Sequence, residues 1–342
     1  FMIKLTDVAD YCGVSTATVS NVLNHTGRVS EKTREKVFAA AEELHYPLNG
    51  GARKKKVCGP HNVAVLVEDL QLILSASMLD GIANVCNRKE ILPQIYNLQV
   101  RRFTPNFDYQ EWQQSPLFNE KIKHALHLVC RGQARGLIYL AAHSRDISSM
   151  CLPIPQQFPM VYLYSTSSQN HLCVEDDDFQ GAALATDFLI RHGHRRIAVI
   201  CGSFNSFVAH LRLSGYQHAL MHGELYFYPE YICSGSWEEK ARTVGVLSTK
   251  DGYAACEKLM ALPDPPTAIF AMNDAMALGA ISYLIEHGLR VPEDVSIVGY
   301  DAVNPQSSHL ELTSIQIPLH EMGKMAAEYL IEMFEKHVIY GK

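Results

Sequence analysis

The sequence predicts two architectures in one chain: a small all-α head built as a helix-turn-helix, followed by a larger α/β body of two lobes. Three observations carry this. Ahead of Tyr46, apolar residues recur at helical spacing on both sides of a single glycine turn. From Asn62 onward, short β-branched runs alternate with helical stretches, the pattern of a parallel sheet covered by helices on both faces. Charge is also divided: residues 1–58 carry +3 and the remainder −9, within a net charge of −6. A basic head on an acidic body gives the head alone the task of meeting a polyanion.

The bulk properties set limits. A chain of 342 residues with 47% hydrophobic and 19% charged residues has material for two or three compact units with a large core. No apolar run approaches the roughly 18 residues needed to span a membrane, and no leader segment is recognisable, so no membrane partner and a cytoplasmic setting are expected. The nine cysteines contain no CxxC pair, Cys130 and Cys151 being the nearest two in sequence. That spacing gives no thiolate zinc or redox site and fits a reducing compartment, with no cofactor or metal expected.

In the head, LTDVADYC (Leu5–Cys12) sets Leu5, Val8, Ala9 and Cys12 on one helical face, with Thr6 as the expected N-cap. Gly13 supplies a tight turn, and VSTATVSNVLN (Val14–Asn24) follows. Its Val14, Val19, Val22 and Leu23 form a packing face, while Ser15, Thr16, Thr18 and Ser20 give an outer face of short hydroxyls suited to lie against phosphates. A third helix begins after Ser30, and its Val37, Ala40, Ala41 and Leu44 complete a three-helix core. Glu31 there favours the positive end of the helix dipole.

These segments, LTDVADYCGVSTATVSNVLN and VSEKTREKVFAAAEELHY, resemble the head of the lactose-repressor (LacI/GalR) family of bacterial transcription regulators, a head of the lambda-repressor-like kind. The resemblance implies a DNA-binding regulator, expected to be a repressor. By match to the family pattern, Thr16, Ala17 and Asn21 face base edges, and Ser15, Thr18 and Ser20 hold phosphates and fix register, with Thr6 and Asn24 also at the DNA. Many members carry Arg where this chain has Asn21. Arg suits guanine and Asn suits adenine, so the operator is expected to differ from the common family site at that base.

A short hinge helix with a minor-groove Leu wedge is the family pattern after the head. Here PLNGGARKKK keeps Asn49, Ala52 and Arg53 but puts Gly50 and Gly51 in the variable places and Lys55 where the wedge belongs. Each Gly weakens the hinge helix by about 0.8–1.0 kcal/mol relative to Ala. Arg53 and Lys55 are expected to neutralise phosphates instead, with less kinking and steep salt dependence.

The body reads as strands at NVAVLV, GLIYLAA, MVYLY, RIAVICG, TAIFAM and VSIVGY. Between them run helices over Met78–Arg88, Phe179–His192, Val208–His222, Gly252–Leu262 and Asp274–His287. From Val174 to Glu335 it resembles the family's two-lobed, periplasmic-binding-protein-like sensor domain, whereas Asp69–Arg135 matches poorly and its fold stays open, with an insertion expected around VRRFTPNFDYQEWQQ. The division is a head over 1–46, a linker over 47–60 and a body over 61–342. Lobe one is expected at about 61–164 plus 319–342, and lobe two at about 165–318.

The resemblance implies an effector between the lobes, touched by Arg212, Asn273 and Asp301, with Trp237 stacking near it and Tyr164 standing where some members use an acid. A ring, an Arg, an amide and a carboxylate suit a sugar or related metabolite. The apolar LQLILSAS (Leu70–Ser77 region) suggests a less polar wall on the first lobe. Asp176, Asp177 and Asp178 could line the cleft mouth or bind a cation, but a solvated N-terminal cap of the next helix is the favoured reading, and His192 and His194 are expected as an ordinary helix-to-strand connection. The partners expected are a pseudo-palindromic operator, a small-molecule effector and a second copy of the chain, since one head spans only a half-site. The alternatives are a regulator controlled by a protein partner or a non-sugar ligand, and a cleft hydrolase or binding protein without DNA function. For a hydrolase, Asp177 with Asp301 is the pair to name, but no nucleophile elbow, HExxH or phosphate loop accompanies it.

Overall fold

The structure is a computed structural model that describes residues 5–23, 29–44, 62–100, 115–131, 134–168 apart from 143, 149, 151, 153 and 155–157, then 171–202, 206–234, 249–302 and 311–340. It divides into two compact units, Phe1–Gly59 and Pro60–Lys342.

In the first unit, α1 (Leu5–Cys12), α2 (Thr16–Leu23) and α3 (Glu31–Glu43) enclose a core of Val8, Ala9, Cys12, Val19, Val22, Val37, Ala40 and Ala41. Gly13 turns the chain between α1 and α2 at φ +62°, a left-handed conformation that glycine adopts without steric cost. Ser15 caps α2, its Oγ accepting from the Thr18 N–H at 3.1 Å, and Ser30 caps α3 through the Thr33 N–H at 3.3 Å. Thr6 is not a cap. The first helix starts at Leu5, so Thr6 sits inside its first turn, with its hydroxyl 3.5 Å from Asp7.

The second unit holds two five-stranded sheets, every pairing parallel. The first has the order β2-β1-β3-β4-β5, from β1 (Asn62–Val67), β2 (Leu92–Asn97), β3 (Gly136–Leu140), β4 (Met160–Leu163) and β5 (Leu172–Val174). The second has the order β10-β9-β8-β6-β7, from β6 (Ile197–Cys201), β7 (Ile232–Ser234), β8 (Ala268–Ala271), β9 (Ser296–Asp301) and β10 (Thr313–Gln316). β1, β3, β4, β6 and β8 are apolar almost throughout because helices cover both faces.

Helices α4 (Ile73–Arg88), α5 (Pro116–Arg131) and α10 (Leu319–Tyr340) serve the first sheet. Helices α6 (Asp178–Arg191), α7 (Phe207–His222), α8 (Lys250–Met260) and α9 (Asp274–Glu286) serve the second. The ordinary βαβ winding continues through the stretch that the sequence left open, as α4, β2 and α5. The expected insertion at 100–114 lies almost wholly outside the described residues.

Two expectations change. Helix α4 begins at Ile73 and not at Met78, so most of LQLILSAS is helix. Its Ser75 is buried, with the hydroxyl donating to the Asp69 carbonyl at 3.0 Å, and does not present a polar group to a cleft. The boundary between lobes also moves. β5 pairs with β4, so the first sheet runs to Val174, ten positions beyond the division at 164, because a three-residue strand is too short to show a period in the sequence.

Candidate functional site

In parallel sheets the carboxyl ends of all strands share one edge, the edge at which open α/β sheets bind ligands. At this edge of the second sheet β8 runs into Met272 and Asn273, β9 ends at Asp301, and α7 brings Arg212 in from behind β6. Arg212 lies on the inner stripe of its helix, in register with Val208, Ala209, Gly215, Tyr216 and Ala219. It is 2% exposed, so its charge is met from within the protein and not by solvent.

Arg212 is the hub. Its Nε donates to Asp178 Oδ1 at 2.6 Å; one Nη donates to the Met272 carbonyl and stands 3.5 Å from Asp301 Oδ1. The guanidinium carbon lies 3.6 Å from the Tyr300 ring centroid, a cation–π stack. Gly181 on α6 permits that arrangement, since a Cβ there would sit 2.1 Å from the Tyr300 hydroxyl. Burial works against the Arg212 charge, but Asp178 and Asp301 overcome it and hold the guanidinium protonated.

The three consecutive aspartates divide their work. Asp177 caps α6, accepting from the Gln180 N–H at 2.8 Å, so it is committed and does not pair with Asp301 as a carboxylate dyad. Asp178 turns inward to Arg212, leaving its Oδ2 buried without a hydrogen-bond partner. Asp176 has both carboxylate oxygens buried and, among the described residues, without a hydrogen-bond partner from another residue. Burial, then the nearness of Asp178, pushes its carboxyl up to about 7. Asp301 is likewise pushed up to about 7 by burial, against the pull of Arg212. The chain leaves extended geometry there, with φ +99° at Asp301 and +51° at Ala302.

Asn273 caps α9, its side-chain oxygen accepting from the Met276 N–H at 2.7 Å. Its amide nitrogen has no hydrogen-bond partner among the described residues. From the first sheet comes Tyr164, directly after β4, 3% exposed and at φ +60°. Burial, then Asp176 and Asp301, hold its phenol protonated, which sets it among the second-lobe carboxylates. Left-handed backbone at two non-glycine residues of one site is strain of about 1–3 kcal/mol each, of the kind that persists where function over-determines geometry.

The structure therefore brings Tyr164, Arg212, Asn273 and Asp301 together; it adds Asp176 and Asp178, which the sequence favoured as a solvated cap over the cleft mouth, and Tyr300, which the sequence reading missed. Trp237 lies outside the described residues. His192 and His194 are connection residues: His194 bonds the Thr267 and Ser296 hydroxyls at 3.0 Å each, and no metal cluster occurs among the described residues. No helix among those residues is long and apolar enough to cross a membrane.

In the head, Ser15, Thr16, Ala17 and Asn21 are exposed on α2 and Thr18 and Ser20 partly so, all projecting from a helix whose inner residues are closed over. Thr6 is exposed on α1. Asn24 and the hinge residues Asn49, Ala52, Arg53 and Lys55 lie outside the described residues.

This combination, a helix-turn-helix unit and a two-sheet body with polar groups at the facing strand ends, defines a class of ligand-responsive DNA-binding proteins. Comparison agrees. The model for bacterial regulatory proteins of the lacI family matches residues 4–49, and that for a periplasmic binding protein-like domain matches residues 186–339. The HTH-type transcriptional repressor PurR of Haemophilus influenzae (strain PittEE) is 33% identical over 332 residues, covering 97% of this chain and 91% of its own. The PurR of Pasteurella multocida is 32% identical over 333 residues, with 97% and 92% covered. Among solved structures, the lac repressor dimer bound to operator and the anti-inducer ONPF aligns with a TM-score of 0.62 at 25% identity, covering 98% of this chain and 94% of that one. The transcriptional regulator CelR–cellobiose complex aligns with a TM-score of 0.58, at the same identity and coverage. The chain belongs to the LacI family: it is a DNA-binding transcriptional repressor and not an enzyme.

Proposed function

We propose that this repressor binds a pseudo-palindromic operator as a homodimer and is controlled by a small metabolite seated between the two sheets, on Arg212, Asp176, Asp301, Asn273 and Tyr164. The observation that carries the effector reading is the Asp176 carboxylate, buried with neither oxygen bonded to another residue among the described residues. A buried unsatisfied polar group costs about 1–3 kcal/mol, and a ligand that donates to it recovers that cost. A sugar or related metabolite rich in hydrogen-bond donors meets the requirement, and the CelR neighbour is bound to cellobiose. Trp237 completes the pocket in this reading. The units are a head over 1–46, a linker over 47–60 and the body from 61 onward, within a cytoplasmic protein.

In the head, Thr16, Ala17 and Asn21 read base edges, while Thr6, Ser15, Thr18, Ser20 and Asn24 hold phosphates. Asn49, Ala52, Arg53 and Lys55 follow the backbone past the head. Effector and operator are coupled reciprocally: a ligand that prefers one lobe arrangement shifts operator affinity by the factor by which operator shifts its own.

The test is a thermal-shift screen of the full chain against neutral sugars, amino sugars, sugar phosphates and nucleobases, followed by operator binding with and without each hit. A compound that stabilises the chain, changes operator affinity and loses both effects on Asp301→Asn supports the reading. Hits that leave operator affinity unchanged, or that survive this substitution, overturn it. For the head, selection from random DNA should return adenine under Asn21, and a required guanine there overturns that assignment.

A further inference from the structure

Building on the effector site proposed above, we infer that the effector is a cation: a metabolite with an amidinium, guanidinium or protonated amino group that lodges between Asp176 and Asp301. Arg212 is already engaged within its own lobe. Its Nε serves Asp178, one Nη serves the Met272 carbonyl and faces Asp301 at 3.5 Å, and its π face lies on Tyr300. The positive charge of the cleft is thus already engaged from within the second lobe.

Around it stand the carboxylates of Asp176, Asp178 and Asp301, with Asp274 close behind, its Oδ1 accepting from the Ser314 hydroxyl at 2.5 Å. Glu175 adds a further acid near Asp176. Among the described residues, Asp176 keeps two buried oxygens and Asp178 one without a hydrogen bond to another residue. With Asp178 paired to Arg212, the fraction of Asp176 and Asp301 that ionises above about pH 7 leaves this strand edge net negative among the described residues.

Three ligand charges can be weighed against that surplus. An anion would add to the repulsion in a site of low dielectric, where unscreened like charges are most costly. A neutral hydroxyl compound can donate to Asp176 but leaves its charge uncompensated. A cation with several N–H donors meets both demands, because charge-assisted N–H···O bonds to carboxylate are roughly twice as strong as neutral ones. Asp178 makes this chain's cleft selective: by neutralising Arg212 from inside the lobe, it withdraws the group that would hold an anionic or strongly accepting ligand.

The experiment uses three planar probes of nearly one shape: acetamidinium, acetamide and acetate, at matched ionic strength and pH 7.5. The melting temperature of the full chain, its Asp176→Asn form and its Asp301→Asn form is followed with each. Acetamidinium is expected to raise the wild-type melting temperature by about 1 °C or more, with acetamide and acetate without effect and the gain lost in both variants. Equal or larger stabilisation by acetamide or acetate overturns the inference, as does no gain with acetamidinium, or a gain that persists in both variants. A neutral or anionic metabolite that releases operator in the earlier screen overturns this inference while leaving the effector site in place.

Discussion

Among the described residues, each lobe of the body buries a carboxylate–arginine pair near the carboxyl edge of its sheet, and the two pairs are finished differently. In the first lobe, Glu68 is fully buried and both its oxygens are used: Oε1 accepts from the Tyr139 hydroxyl and the Arg145 guanidinium, and Oε2 accepts from the Ala142 N–H at 2.8 Å. In the second lobe, Asp178 holds Arg212 through one oxygen, while its other oxygen and both of Asp176 are left over. The contrast lies in the acceptors and not in the arginines: a carboxylate whose oxygens are both used is fixed in place, whereas one with oxygens left over at a strand edge keeps accepting capacity for something else. The difference separates a structural ion pair from one built around a vacancy in bonding, although burial alone makes them look alike.

The sharpest way to break this comparison is to remove each arginine. Breaking a buried pair leaves an uncompensated charge and costs about 3–5 kcal/mol. Arg212→Ala is expected to lower unfolding stability in urea by about that amount and to abolish any effector-induced change in operator affinity. Arg145→Ala is expected to cost a similar amount or slightly less, again about 3 kcal/mol, yet to leave effector affinity within a factor of about two. If Arg145→Ala blunts the effector response as strongly as Arg212→Ala, the distinction between the lobes fails. Arg212→Lys and Arg145→Lys provide folded controls.

Asp176→Asn reverses the sign. Its carboxyl sits at about 7 in the folded chain, above the ordinary range near 4, so the folded state holds the proton more tightly than the unfolded state. Stability from this group is therefore complete below about pH 4 and is lost as pH rises through about 7. The groups that act with it are Asp178, Arg212 and Glu175, with Asp301, Tyr164 and Tyr300 opposite. Melting curves between pH 5 and pH 8 should flatten in Asp176→Asn, with a gain of about 1–3 kcal/mol at the alkaline end. An unchanged profile would show that Asp176 carries no surplus. Last and smallest, Ser15→Ala removes the cap of α2 and should cost the head about 1 kcal/mol. It should weaken operator binding without moving the pH profile of the body.

The head was nearly all readable in the sequence because its helices are short, amphipathic and separated by punctuating residues: Gly13, Ser15 and Ser30 each do locally what their chemistry suggests. The alternation of the body was readable too, while β5, with three residues, offered no period to detect. The site was legible only in part. Arg212, Asn273 and Asp301 came from a family pattern, but the run of three aspartates gave no sign of which one turns inward. The signal was present in the phase of α6, whose buried residues Gly181, Ala182, Ala185, Thr186 and Leu189 fix the stripe that Asp178 extends by one turn. Asp176 lies outside that helix, and its position depends on the crossover from β5, which a pattern of residues does not encode.

In the proposed site, Tyr164 would set an order in time. Every charged group of the cleft described above belongs to the segment that begins at Asp176 or to the second lobe, and Tyr164 is the residue that the first sheet contributes, on a strained backbone. Under the effector reading proposed above, a ligand would dock first on the charges of the second lobe and meet the Tyr164 phenol afterwards. Association should then follow the charge on the Asp176–Asp301 side and its ionic-strength dependence, whereas the lifetime of the complex should follow Tyr164. Tyr164→Phe would leave kon nearly unchanged and raise koff, so the first lobe would govern how long the repressor remembers its signal and not how quickly it receives it.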